Sequence, residues 1–351
     1  MSALATPVLV LVFVAAAAAT WRAGVYLSRS TDALDVRFGL GEELGGLILL
    51  AITGTLPEIA ITSSAALSGH LDLAVGNLIG GIAVQTLVLV VLDAASGRER
   101  PLSFLVGSLV PVLEALMVVV VLATAMSGAV LSPKANIAGA GPTSIAAVVL
   151  WLAGVGLVNY ARRHPMWRGE APESAPGRRH GREPLPAGAE RPYAGARTAV
   201  VVGVFAAASA VTLGAGVALQ GAGSALAGRI GIQGAIFGAT ILSAATALPE
   251  ISSGIAAVRI GDTQLAVGDI LGGNSFQVTL FLLADLLAGT PVIVAEHHTD
   301  VWLGGLGLLM TGVAAAAIII RPQRTFLGLG IDSIALVVIY AAGIAALASV
   351  V

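Results

Sequence analysis

Apolar runs of about 20 residues recur along the chain, parted by short polar intervals, and a run of that length crosses a bilayer as one helix. The pattern predicts ten helices, near 5–27, 43–68, 72–94, 104–126, 143–161, 197–219, 233–257, 263–288, 301–320 and 326–349. One long polar interval, 162–196, breaks the series. It is rich in Arg, Pro and Gly, a composition that cannot bury a core, and reads as a loosely ordered linker. The expected fold is therefore an all-α polytopic membrane protein. A first five-helix unit spans 1–161, the linker 162–196, and a second five-helix unit 197–351.

The second half repeats the first at a constant offset of 192 residues. "AGVYL" (23–27) returns as "AGVAL" (215–219), "ALDVRFG" (33–39) as "ALAGRIG" (225–231), "LPEI" (56–59) as "LPEI" (248–251), and "LAVGNLIGG" (73–81) as "LAVGDILGG" (265–273). The register holds without a gap to Asp93 and Asp285, with about a third of positions identical. A unit of five helices is odd, so a second copy enters the membrane from the opposite side. Such inverted repeats are the architecture of many secondary transporters, whose substrate site lies at the midplane between the copies.

Composition narrows the class further. The chain is 57% hydrophobic and only 11% charged, where a soluble domain is about a quarter charged. A net charge of −2 supplies no basic face, which excludes nucleic acid as a partner. Without cysteine there is no thiol catalysis and no Cys-ligated metal. His70, His164, His180, His297 and His298 all fall in loops or at helix ends, and neither HExxH nor G-x-S-x-G occurs. No enzyme and no cofactor are expected. The partners implied are the lipid bilayer and inorganic cations, with no protein partner evident. The first apolar run lacks a basic leader and reads as a retained span. Lys and Arg set the orientation. Arg29, Arg37, Arg98, Arg100, the linker arginines, Arg259, Arg321 and Arg324 fall on one side, and only Lys134 and Arg229 on the other. The Arg-rich side is expected to be cytoplasmic, with the linker inside and both termini outside, in the plasma (inner) membrane.

The repeated segment carries the chemistry. Pro57-Glu58 and Pro249-Glu250 each put a helix breaker and a carboxylate inside an apolar run. Proline removes a backbone donor, so carbonyls near 53–54 and 245–246 lose their helical partner. In lipid those oxygens need another partner, and a cation is one. Carbonyls and carboxylates are hard oxygen ligands suited to Na⁺ or Ca²⁺. By the repeat symmetry Glu58 and Glu250 meet near the centre, where the pair would neutralise one divalent ion, two monovalent ions or two protons. Intramembrane carboxylates are costly and usually functional. The partner segments "GNLIGGIAVQ" (76–85) and "GDILGGNSFQ" (268–277) add Asn77, Asp269, Asn274, Ser275, Gln85 and Gln277 as oxygen donors. Hydrogen-bond glue between helices is the competing role for Gln85 and Gln277. Asn77 and Asp269 lie near helix starts, where N-capping competes with ion binding. Asp93 and Asp285 fall near the far ends of their helices, with an interfacial place expected and gating as the alternative. Glu114 reads as a local structural residue.

"TGTLPE" with "GNLIGGIAVQ", and "SAATALPE" with "GDILGGNSFQ", resemble the two α-motifs of the calcium/cation antiporter superfamily, specifically its sodium/calcium exchanger-like branch. The family motif is G-T-S-x-P-E followed by G-N-x-x-G-S-N-x-x-N/D, and the resemblance spans essentially the whole chain. It implies ten helices in two inverted repeats and a secondary antiporter in which Glu58 and Glu250 ligate the exchanged cations. It also implicates Thr246 and Thr55 at the family's hydroxyl positions and Gln85 and Gln277 at the final Asn/Asp. The chain departs at Gly54, Ala247, Gly81 and Gly273, where the family keeps hydroxyls. The expected function is exchange of a cation, foremost Ca²⁺, against Na⁺ or H⁺ by alternating access. The alternatives are a Na⁺/H⁺ antiporter, or a cation-binding membrane protein without turnover.

Overall fold

In the computed structural model of the chain the described residues are 1, 4–38, 51–97, 100–131, 135–164, 193, 195–293 and 298–347. The linker residues 165–192 and the expected start of the second helix, 43–50, lie outside them. The helices are α1 (Thr6–Phe38), α2 (Leu56–Ser68), α3 (Leu71–Ser96), α4 (Leu102–Leu105), α5 (Val110–Met126) and α6 (Pro142–Arg163). The second half supplies α7 (Thr198–Ile230), α8 (Gly234–Thr246), α9 (Leu248–Ile260), α10 (Thr263–Ala288), α11 (His298–Ile320) and α12 (Ile331–Leu347). Among the described residues seven helices are long and apolar enough to span a membrane, and the bent pair α8–α9 makes an eighth. The protein is an all-helical polytopic membrane protein.

Element bounds repeat with the sequence. α1 and α7, α2 and α9, and α3 and α10 begin and end at positions separated by the same 192 residues. Equivalent glycines close them in the left-handed conformation: Gly69 and Gly261 (φ 76° and 87°), then Gly97 and Gly289 (φ 55° and 72°). A residue with a Cβ pays a steric penalty there, which is why glycine ends these helices.

α1 and α7 run antiparallel, as their ends record. The Arg37 guanidinium at the end of α1 donates to Thr198 Oγ1 (3.0 Å) and to the carbonyls of Ala196 and Tyr193 (2.8 Å each), at the start of α7. Its equivalent Arg229, at the end of α7, donates to Thr6 Oγ1 (2.8 Å) and Leu4 O at the start of α1. Each long helix also packs on the other half's broken segment, α1 on α9 and α7 on α2. A β-carbon on Gly24 would stand 2.6 Å from Pro249 Cβ, and one on Gly216 2.6 Å from Ala60 Cβ and 3.0 Å from Pro57 O. Only glycine permits this approach.

α3 is the centre of the molecule. In its most apolar stretch 89% of positions are buried, against 28% in α1, α6 and α7, whose Leu and Val side chains face outward as lipid-facing residues do. Around α3 and α10 a core joins Leu78, Ile82, Val121, Leu122, Trp151 and Phe281.

Some boundaries differ from expectation, for physical reasons. α1 and α7 extend 11 residues beyond the expected ends at 27 and 219, to Phe38 and Ile230. The added turns of α1 are largely polar, which hid them from an apolar-run reading, yet Ser30, Thr31, Leu34 and Asp35 among them are buried. The expected helix 104–126 starts at Val110, because Val106 is extended and Pro111 can sit only in a first turn. The last helix begins at Ile331, after a hairpin pairing Thr325–Phe326 with Leu329–Gly330 across Leu327 and Gly328, both at positive φ.

Candidate functional site

The site is built at the two helix breaks. Pro57 and Pro249 stand in the first turns of α2 and α9, so their missing N–H groups cost nothing there. α8 and α9 meet at a bend of 43°, and α8 contains a π-turn at Gly238–Leu242. The breaks place the N-termini of α2 and α9, with Glu58 and Glu250 in their first turns, inside the protein. The positive end of each helix dipole thus lies beside a carboxylate and offsets part of its charge.

Gln85, from the middle of α3, joins the two. Its Nε2 donates to Glu58 Oε1 (3.3 Å) and to Glu250 Oε1 (3.4 Å). The two Oε1 atoms share one amide nitrogen and so lie no farther apart than the sum of those two bonds. Two unit charges ~6 Å apart repel by roughly 3 kcal/mol at an effective dielectric of ~20. Glu58 is fully buried, Glu250 half-buried, and the second oxygen of each is buried without a hydrogen-bond partner in the protein. An orphaned carboxylate oxygen beside a second carboxylate is an arrangement that a cation or a proton relieves.

The other predicted donors are placed unequally. Thr246 lies beside the Glu58 carboxyl and donates to Ser243 O (3.1 Å). Thr55 is turned away, its hydroxyl donating to Ala51 O (2.9 Å). Gln277 does not mirror Gln85: its Nε2 donates to the carbonyls of Leu78 (2.9 Å) and Asn77 (3.2 Å), and its Oε1 has no partner. Asn274, fully buried, has both amide atoms unpartnered. Ser275 donates to Gly272 O (2.7 Å) within its own helix.

Asn77 and Asp269 are not N-caps. α3 and α10 start six residues earlier, at Leu71 and Thr263, and Asp262 caps α10 by accepting from Leu265 N at 2.9 Å. Asn77 Oδ1 instead accepts from Ser243 Oγ (3.3 Å), and Asp269 Oδ2 from Ser253 Oγ (3.2 Å). Asp93 and Asp285 lie three residues from the ends of α3 and α10, are 3% and 0% exposed, and anchor loops. Glu114 pairs with Arg162 at 2.9 Å.

Sequence reading missed Ser243 and Ser253. The signal was helical spacing: Ser253 follows Glu250 by three residues on the same face, and Ser243 precedes it by seven, two turns away. Among the described residues no three His, Asp or Glu side chains converge as a metal cluster. The donor set is two carboxylates with amides, hydroxyls and carbonyls.

A polytopic helical protein with paired, proline-broken helices and an inward carboxylate at each break has the architecture of an ion-handling membrane protein. The chain belongs to the sodium/calcium exchanger protein family, whose profile matches residues 8–158 and 200–348. It is 27% identical over 263 residues to inner membrane protein YrbG of Escherichia coli (strain K12), covering 75% of this chain and 73% of that protein. The fold matches the crystal structure of the H⁺/Ca²⁺ exchanger CAX with a TM-score of 0.67 at 14% identity, covering 97% of this chain and 87% of that one. It also matches the sodium-calcium exchanger NCX_Mj with a TM-score of 0.59 at 13% identity, covering 97% and 99%. At such identities the likeness is one of fold.

Proposed function

We propose that the protein is a secondary active cation antiporter of the plasma membrane, exchanging Ca²⁺ against Na⁺ or H⁺. The observation that carries this reading is the single Gln85 amide bridging Glu58 and Glu250, one carboxylate from each repeat. Each glutamate has one oxygen held by that weak neutral donor and one with no protein partner, so the pair is held but not neutralised. A cation or protons supply the missing charge, and substrate and coupling ion compete for the same oxygens. That competition makes exchange obligatory.

The architecture we assign is two inverted five-helix repeats, 1–161 and 197–351, joined by a cytoplasmic linker at 162–196, with both termini outside. The antiparallel α1–α7 pair and the arginine clamps at both its ends support the inversion. Alternating access then moves α1 and α7 across a core of α2, α3, α9 and α10. The ligand set is Glu58 and Glu250, with Gln85, Gln277, Thr246, Asn77 and Asn274 around them; Asp269, held by the Ser253 hydroxyl about one turn along α9, lies outside this set. Thr55 is the weakest member, since its hydroxyl is already engaged.

Proton coupling is favoured over Na⁺ by what is missing. Gly54, Ala247, Gly81 and Gly273 offer no hydroxyl to flanking Na⁺ sites. Reconstitution into vesicles tests both points: Ca²⁺ flux is measured under an imposed pH or Na⁺ gradient, with Glu58→Gln and Glu250→Gln as controls. Expected is flux driven by the pH gradient and lost in either variant. Absence of gradient-driven flux for Ca²⁺ and for Na⁺ refutes the antiporter.

A further inference from the structure

Repeat two carries a carboxylate, Asp269, where repeat one carries the amide Asn77, and it does not stand alone. On α9, Ser253 donates to Asp269 Oδ2 at 3.2 Å and lies within 3.3 Å of the Glu250 carbonyl, so Asp269 sits about one turn along α9 from the central pair. On α5, Glu114 rests against the backbone of Gly268, the residue before Asp269: a β-carbon on Gly268 would stand 3.0 Å from Glu114 Oε2. Glu114 is 3% exposed. Arg162 of α6 takes its Oε1 at 2.9 Å, while Oε2, on the Gly268 side, is buried with no hydrogen-bond partner. Asp269 and Glu114 are in electrostatic reach of each other, and Asp269 also of Glu250 and of Asp32 on α1. Arg162 is paired with Glu114 and Asp269 has the Ser253 hydroxyl as its partner, so the two carboxylates carry one negative charge more than this guanidinium offsets, beside an orphaned buried oxygen. Burial makes such a charge costly unless a cation visits it.

We propose that Asp269, the Ser253 hydroxyl and Glu114 Oε2 form an auxiliary station for a hard inorganic cation, on the Arg162 side of the central pair. A cation pauses there on its path to Glu250, and Arg162 sets the depth of the station by cancelling one of its two charges. The station has no counterpart in repeat one, where Asn77 and Ile61 stand at the positions of Asp269 and Ser253. It is therefore one-sided, on the face expected to be cytoplasmic. This deepens the antiporter reading and rests on it for the path, but not for the binding.

Two measurements test it. In the first, purified Glu58→Gln/Glu250→Gln protein is titrated with Ca²⁺ at equilibrium. A weak residual site is expected, and adding Asp269→Asn removes it. No residual site, or one indifferent to Asp269→Asn, overturns the station whatever the wild-type flux. In the second, oriented vesicles compare the two faces. Asp269→Asn should raise the half-saturating Ca²⁺ concentration roughly tenfold on the Arg162 face, the size expected for removing one partly screened charge, and leave the other face unchanged. An equal shift on both faces, or a lowered maximal rate with unchanged half-saturation, assigns Asp269 a structural role and overturns the proposal. Loss of wild-type flux alone would refute the antiporter while leaving the first measurement decisive for the station.

Discussion

Asp93 and Asp285 exchange their anchoring partners between the repeats, and breaking one such anchor has a calculable cost. Asp93 Oδ1 accepts from Leu102 N at 2.7 Å, pinning the loop after its own helix. Its Oδ2 accepts from Gly330 N (2.7 Å) and Ser333 Oγ (2.6 Å), at the start of α12 in the other repeat. Asp285 does the same in reverse: Oδ1 takes Val292 N (2.7 Å) after its helix, and Oδ2 takes Gly141 N (2.8 Å) at the start of α6 in the first repeat. A hydrogen bond to a charged group contributes ~1.5–3 kcal/mol, and a buried donor left unpaired costs ~1–3 kcal/mol. Asp93→Ala removes three bonds and strands two buried N–H groups. Allowing for water reaching the vacated space, the loss should be about 4 kcal/mol. Ser333→Ala removes one bond and should cost about 1–2 kcal/mol. Thermal unfolding in detergent, followed by size-exclusion after heating, reads the difference. At ~2 °C per kcal/mol, Asp93→Ala should fall by about 8 °C and Ser333→Ala by about 3 °C. In the Asp93→Ala background, Ser333→Ala should add almost nothing, because the pair shares one interaction. Exchange per folded molecule should be unchanged. Full loss of exchange at an unaltered unfolding temperature would refute the anchor and make Asp93 a gate.

Two further outcomes follow from the packing. Gly216→Val and Gly24→Val place methyl groups into Pro57–Ala60 and Pro249, an overlap costing ~1–3 kcal/mol, and should cut exchange more than tenfold while equilibrium Ca²⁺ binding persists; unaltered exchange would mean that this contact does not move. Arg37→Ala and Arg229→Ala each free one end of the α1–α7 pair. Faster hydrogen exchange is expected at the start of α7 for the first and of α1 for the second, and exchange changes elsewhere instead would contradict the antiparallel clamp.

Much of the fold was legible because its signals are local. Apolar run length marks the helices, and the repeat offset aligned α1, α2 and α3 with α7, α9 and α10 at the same bounds. The Pro-Glu pairs were legible because proline breaks a helix wherever it stands. What escaped depends on partners far along the chain. The polar second half of α1 looks unlike a span until α7 is laid against it. The anchoring role of Asp93 depends on Gly330 and Ser333, more than 230 positions away. Asn77 and Asp269 looked like caps because "AVG" mimics a helix start, whereas the helices begin after the left-handed turns at Gly69 and Gly261. The unequal roles of Gln85 and Gln277 could not be read at all, since the two residues and their flanking glycines match.

The scaffold and the site obey opposite symmetries, and the antiporter reading accounts for both. Clamps, glycine contacts and aspartate anchors come in equivalent pairs, so exchanging the conformations of the two repeats regenerates a fold of similar energy. Two access states of comparable free energy are what alternating access requires, because a state many kcal/mol lower would trap the carrier. The lining of the site is unequal: Gln85 bridges the glutamates and Gln277 does not, and Asn274, Asp269 and Thr246 of repeat two stand where repeat one has Ile82, Asn77 and Gly54. A site with identical halves would present the same ligands to both sides of the membrane. The extra carboxylate lies in repeat two, so on the proposed path a cation arriving from the Arg162 side meets Asp269 before Glu250, where the equivalent position in repeat one is the neutral Asn77. On the antiporter reading, the symmetric frame makes the two states accessible, and the asymmetric lining makes the two approaches to the glutamates unequal.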